Sequence, residues 1–190
     1  MLKRRFLIAG TYSFPFKLKR VFRWDRFSGP ALILLAAAIA SAPVALNGPF
    51  CGDDFQFHLI SWLDAQQSWR QGIPYPHWTP SANYGAGEPR FIFYPPLTWM
   101  LGAFLGLVLP WSLVPAVLIF LLLSATGLAT FALARQALSE VPATLAGCTT
   151  LFSVYALYTA YERAAFGELT GGFWIPLVML FALRDRRQVI

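Results

Sequence analysis

Apolar residues along this chain come in long blocks, not in the single-faced periodicity of a water-soluble domain. Residues 30–46, PALILLAAAIASAPVAL, predict a first helix barely long enough to cross a bilayer, which takes about 20 residues for a ~30 Å core. Residues 112–134 form the clearest span and are closed by Arg135. Residues 142–160 predict a third, headed by a proline that suits a helix start, and residues 172–183 a fourth. Residues 96–110 are apolar too, but at a rise of about 1.5 Å per residue the run reaches only ~20 Å. Prolines bound it at both ends, so it predicts a juxtamembrane or re-entrant helix.

Polar stretches separate these blocks. Residues 1–29 are a basic arm, 47–95 a large loop rich in aromatic and turn-forming residues, 161–171 a short loop, and 184–190 a basic end. The pattern predicts an all-α membrane protein with about four transmembrane helices plus a large outer loop carrying interfacial or re-entrant helices.

Composition agrees. Of the 190 residues, 57% are hydrophobic and 13% charged, against about 25% charged in soluble domains. Mean hydropathy is +0.54. The net charge of +6 is concentrated in the arm, where Lys3, Arg4, Arg5, Lys17, Lys19, Arg20, Arg23 and Arg26 are opposed only by Asp25. A basic arm with interleaved Phe and Trp could bind nucleic acid, but ahead of a hydrophobic helix it reads as a cytoplasmic anchor drawn to anionic lipid. No nucleic-acid partner is expected. The ASA at residues 40–42 resembles a signal-peptidase site, yet the long arm and the helices that follow favour an uncleaved anchor. Cys51 and Cys148 fit no metal-ligand spacing.

Charge also sets an orientation. With the basic amino terminus in the cytoplasm, residues 47–95 lie outside. If residues 96–110 only dip into the membrane, Arg135 and the Arg184, Arg186 and Arg187 group both fall inside. The same topology brings YERAAFGEL to the outer face beside the first loop. The expected location is the cytoplasmic membrane.

The chemistry is concentrated in that outer loop. Within CGDDFQFHLISWLDAQQSWRQG, Asp53 is placed to cap a helix that Gly72 ends. Asp54, His58 and Ser61 then form a polar stripe, with Phe55, Leu59, Trp62 and Trp69 as an apolar one. Such a helix would lie in the interface, aromatics in lipid and carboxylates toward water. Asp53 and Asp54 together suit a divalent cation, Mg²⁺ or Mn²⁺, or the acceptance of a proton; the plainer reading is a cap and a dipole partner. Downstream, GIPYPHWTPSANYGAGEPRFIFYPPLTW offers rings that stack on sugars and Arg90 that could meet a lipid phosphate; an interfacial aromatic belt is the alternative. Glu162, Arg163 and Glu168 are either a local ion-pair group or the second half of a site begun at Asp53. There is no phosphate loop, GxGxxG or HExxH motif.

The run DDFQFHL…GIPYPHW…YGAGEPRFIFYPPLTW followed by YERAAFGEL resembles the bacterial integral membrane family labelled 6-pyruvoyl-tetrahydropterin synthase-related, from about Pro30 onward. More broadly, a basic arm, one helix and GDDFQFH resemble the amino-terminal part of the C-superfamily of glycosyltransferases (GT-C). The resemblance implies a polyprenyl-phosphate-linked sugar donor, a glycan or lipid acceptor, and an active site at the outer face. It implies a catalytic or metal-linked role for Asp53 and Asp54. Reading the chain as such a transferase, His58 and Glu168 are expected to assist catalysis, and Arg90, Tyr94, His77 and Arg163 to contact substrate or lipid phosphate. It does not imply pterin synthesis, which needs a histidine set where this chain has only His58 and His77. Such transferases carry more helices, so a missing carboxy-terminal half or a partner subunit is expected. A non-catalytic scaffold or lipid-handling subunit is the competing expectation. A transporter ranks below both, because the spans at 112–134 and 142–160 carry no acidic residue.

Overall fold

The computed structural model describes residues 28–48 and 52–188; the arm up to residue 27 and Cys51 lie outside the described residues. Nine α-helices follow one another among them, with a single 3-10 turn at Asn83–Gly85. They are α1 (Ser28–Asn47), α2 (Phe55–Arg70), α3 (Arg90–Phe93), α4 (Pro96–Val108), α5 (Val114–Ala134), α6 (Glu140–Leu151), α7 (Val154–Tyr161), α8 (Phe166–Leu169) and α9 (Gly171–Gln188). The described residues hold no strand, only an isolated bridge between Thr79 and Glu88.

Four segments are long and apolar enough to cross a membrane: Ser28–Asn47, Val114–Ala134, Glu140–Tyr161 and Phe166–Asp185. Their outer faces carry Leu35, Ile39, Ile175, Val178 and Phe181 uncovered, which water would penalise and lipid tails accept. The chain is an all-α, multi-pass membrane protein. Helix α4 has 13 residues and is not among the spanning segments.

Helix α5 is the hub, packed by α1, α6 and α9. Lipid gives helices no hydrophobic reason to associate, so close approach of small residues must supply it. Gly127 of α5 and Gly147 of α6 meet in this way, with Ile33 of α1 filling the notch between them. Thr126 Oγ1 inside the bundle bonds back along its own helix to Leu122 O at 2.9 Å.

The third crossing is two helices. Ser153 interrupts the apolar run, its hydroxyl accepting from the Ala156 amide at 3.2 Å to start α7 afresh. Tyr161 at the end of α7 donates its hydroxyl to Ala40 O of α1.

Helix α2 departs from its sequence-based description. It packs on α4. Trp62, from the expected lipid-facing stripe, is fully buried and stacked on Phe166 of α8 at 5.6 Å. The protein itself supplies the apolar partner that the pattern alone would assign to the bilayer.

Candidate functional site

Two loops distant in sequence meet at one end of the bundle. The Asp54 amide donates to Arg163 O at 2.9 Å. Gly52 lies so near the second loop that a Cβ on it would sit 2.8 Å from Glu162 O and from the Ala164 methyl. Ala164 adopts a left-handed backbone (φ 51°) and is buried, a conformation that packing must hold in a non-glycine residue. Asp54, rather than Asp53, stands at the residue before α2, and its side chain makes no capping bond. The predicted cap is therefore corrected: the backbone link across the loops fixes this turn and leaves the carboxylates outside the helix ladder.

Arg163 grips Glu168 with both ends of its fork, Nη1 to Oε2 at 2.6 Å and Nη2 to Oε1 at 2.8 Å. Its Nη2 also lies 4.0 Å from Asp54 Oδ2. Tyr94 reaches this cluster and touches Gly167. Burial raises the Tyr94 phenol above its ordinary pKa, and the neighbouring charges of Asp54 and Glu168 raise it further, so it stays protonated as a donor. Asp53 is exposed beside them. Five predicted residues, Asp53, Asp54, Tyr94, Arg163 and Glu168, thus gather at one place.

His58 is one turn into α2 and has no exposure. Its ring is walled by Trp62, Tyr94 and Phe166 at centroid distances of 6.1, 5.8 and 5.0 Å. Neither ring nitrogen has a partner among the described residues. The expectation that it shares a water-facing stripe with Asp54 is corrected, because Tyr94 and Phe166 of α8 close over the ring. Burial, then the Arg90 charge, lowers its pKa from 6.5 to about 4.

A pH prediction follows from the sign of that shift. Between 6.5 and about 4 the unfolded chain holds a proton that the folded chain refuses, so stability falls as pH drops through this window. The loss should approach about 3 kcal/mol below the folded value. Thermal unfolding in nanodiscs should show a Tm that declines below pH 6.5. His58→Phe should flatten the decline; an equally steep fall in that variant would assign the effect elsewhere.

Arg90 is a clamp. Its Nε donates to Glu88 Oε1 at 2.5 Å, and its Nη1 to Phe57 O at 2.7 Å and Ser61 Oγ at 2.8 Å. The guanidinium also lies 3.8 Å above the Phe57 ring. The Arg90 hydrogen bond is the main cause holding Glu88 below its ordinary pKa. The partners on α2 lie 33 and 29 positions away in the chain, so spacing gave no signal that Phe57 and Ser61 hold Arg90. The aromatic-rich loop is pinned similarly by Asp64, whose carboxylate accepts from the Ser81 amide and hydroxyl at 2.9 and 2.7 Å. His77 is exposed against Tyr75 and has no bond to the Asp53–Asp54 turn.

For a metal, the described residues offer no group of three or more His, Cys, Asp or Glu side chains. Asp53 and Asp54 fit only the sparse, water-rich shell that Mg²⁺ keeps when one or two carboxylates hold it. Cys148 is a free thiol within the bundle.

Comparison of the chain with protein-family models, curated proteins and solved structures found no match.

Proposed function

We propose that this chain contributes the acceptor-activating end of a membrane glycosyltransferase that takes sugar from a polyprenyl-phosphate donor at the outer face of a bacterial cytoplasmic membrane. The observation that carries the reading is the meeting of the Asp53–Asp54 turn with the Arg163–Glu168 pair beside Tyr94. In this reading the amino terminus is cytoplasmic, residues 47–95 are outside, and α4 dips into the membrane without crossing it.

One of the two carboxylates accepts the proton of an acceptor hydroxyl on a glycan or lipid. The freed oxygen attacks the anomeric carbon, the bond from that carbon to the phosphate oxygen breaks, and polyprenyl phosphate leaves. Arg163 lies between Asp54 and Glu168 and holds both negative groups near the reacting hydroxyl. A hydrated Mg²⁺ or Mn²⁺ on Asp53 and Asp54 would supply positive charge near the donor phosphate.

The test uses bacterial membranes with and without the chain, supplied with a polyprenyl-phosphate sugar labelled in the sugar. Label should move from the donor lipid to an acceptor fraction only where the chain is present. Equal transfer in both membranes sinks the proposal.

One observation favours the second reading, a non-catalytic scaffold or lipid-handling subunit. Both arginines of the region make short bonds to internal carboxylates, Arg90 to Glu88 and Arg163 to Glu168. That reading expects substitutions of Asp53 and Asp54 to leave every sugar-transfer readout unmoved.

A further inference from the structure

Two cavities lie end to end along the seam between α1 and the third crossing. One, of about 490 Å³, is lined by Ile39, Ala40 and Pro43 of α1 and by Phe152, Leu157, Tyr161 and Glu162. The other, of about 300 Å³, shares Ile39 and Phe152 with it and continues to Leu32 and Leu35 of α1 and Leu145 of α6. Helix interruptions border the join. Pro43 sits inside α1 and cannot donate along it, and α6 ends at Leu151 before α7 begins at Val154. At the Glu162 end the Tyr161 hydroxyl, donated to Ala40 O, ties the two walls together.

The shape suits a chain. From Leu32 to Pro43 the seam runs ~16 Å at about 1.5 Å per residue, against ~15 Å for one leaflet of a ~30 Å hydrocarbon core. Its rim is open, with Leu35, Ile39, Leu145 and Phe152 exposed. In a membrane-spanning bundle that surface meets lipid and not water. Helices α1 and α6 pack on one another, so the seam is a furrow between touching helices. A partner helix, about 10 Å across, would ride over such a furrow without filling it. An acyl chain fills it.

One end of the seam carries a charge. Glu162 is the first residue beyond the third spanning segment, Glu140–Tyr161, which puts it at head-group level. It is exposed, and its carboxylate has no ion pair or hydrogen bond among the described residues. Its neighbour Arg163 is already gripped by Glu168. Asp53 and Asp54 stand on the turn that meets Glu162 at Gly52, so negative charge outweighs positive here. An anionic head group brings like charge to this rim. Choline brings positive charge but no N–H to donate. A primary ammonium brings both, and an unpaired carboxylate accepts its donors as charge-assisted hydrogen bonds. We propose that the seam seats one acyl chain of phosphatidylethanolamine, with Glu162 holding its ammonium head. This lipid site does not depend on the sugar-transfer reading.

The test places the purified chain in nanodiscs of equal parts phosphatidylethanolamine, phosphatidylcholine and phosphatidylglycerol with matched chains. After transfer to mild detergent, the lipid still bound is counted by mass spectrometry. Phosphatidylethanolamine should be retained over either competitor by about fivefold or more. Glu162→Gln keeps the side chain's size and breaks no bond within the protein, so it should erase that preference, with the fold checked by circular dichroism. A second measurement needs no variant: phosphatidylethanolamine carrying a diazirine near its chain end should mark peptides containing Leu35 or Leu145. Equal retention of the three lipids, or retention that favours the anionic one, overturns the proposal. So does a preference that survives Glu162→Gln, or marking spread evenly over the exposed faces of α1, α6 and α9.

Discussion

Asparagine at Asp54 is expected to lower sugar transfer by about 10²–10⁴-fold, the usual worth of a positioned acid or base. The substitution is nearly isosteric and spares the backbone amide that holds Arg163 O, so the two loops should stay joined. The Arg163–Glu168 fork does not depend on Asp54, which stands 4.0 Å from Arg163 Nη2. What is lost is one negative charge beside the proposed acceptor position. Asp53→Asn tests the neighbour, which is exposed and bonded to nothing described; the larger loss identifies the proton acceptor. Rates measured across pH, with and without chelator, separate the two roles. A base gives an acid limb that the variant abolishes and chelator leaves alone. A metal ligand gives chelator sensitivity that added Mg²⁺ or Mn²⁺ restores. Wild-type rates in both variants would falsify the site as drawn and leave the scaffold reading.

The bundle was legible because its signal is local. Each span is a contiguous apolar block, so its existence needs no knowledge of its neighbours. The brevity of α4 was legible too, since proline bounds and rise per residue set its reach. The break at Ser153 was hidden inside an apolar run, where a single serine looks like any tolerated hydroxyl until its cap is seen.

Facing and pairing were harder to read. The spacing of Asp54, His58 and Ser61 was right, but spacing says which residues share a face and not what covers it. Phe166, which walls His58, arrives from α8. Arg90 looked like a free cation because its acceptors on α2 lie far back in the chain. The approach of the YERAAFGEL segment to the Asp53 loop rested on topology and charge. The bond from the Asp54 amide to Arg163 O now gives that approach atoms.

Alanine at Trp62 is expected to be the most destabilising single change at the loop end of the bundle, at about 3–5 kcal/mol for a fully buried large aromatic. Its indole stacks on Phe166 at 5.6 Å and meets the Phe55 ring edge-on at 6.5 Å. Gly102 of α4 is small because the indole occupies the space: an added Cβ would fall 2.3 Å from Nε1 and 2.5 Å from Cδ1. Gly102→Ala must therefore push the ring, at a cost of about 1–3 kcal/mol from overpacking. Trp62→Phe shortens the side chain where it meets α4, so Gly102→Ala should cost much less in that background. The double-mutant cycle, read from unfolding in mild detergent, should give a coupling of about 1 kcal/mol or more. Additive costs would mean that the glycine and the indole do not touch. The same contact links the core to chemistry, since Phe166 follows the Arg163 loop and opens α8, which carries Glu168. Trp62→Ala should thus loosen the Arg163–Glu168 pair and reduce transfer even where the protein still folds, whereas the conservative Trp62→Phe should keep most of the rate.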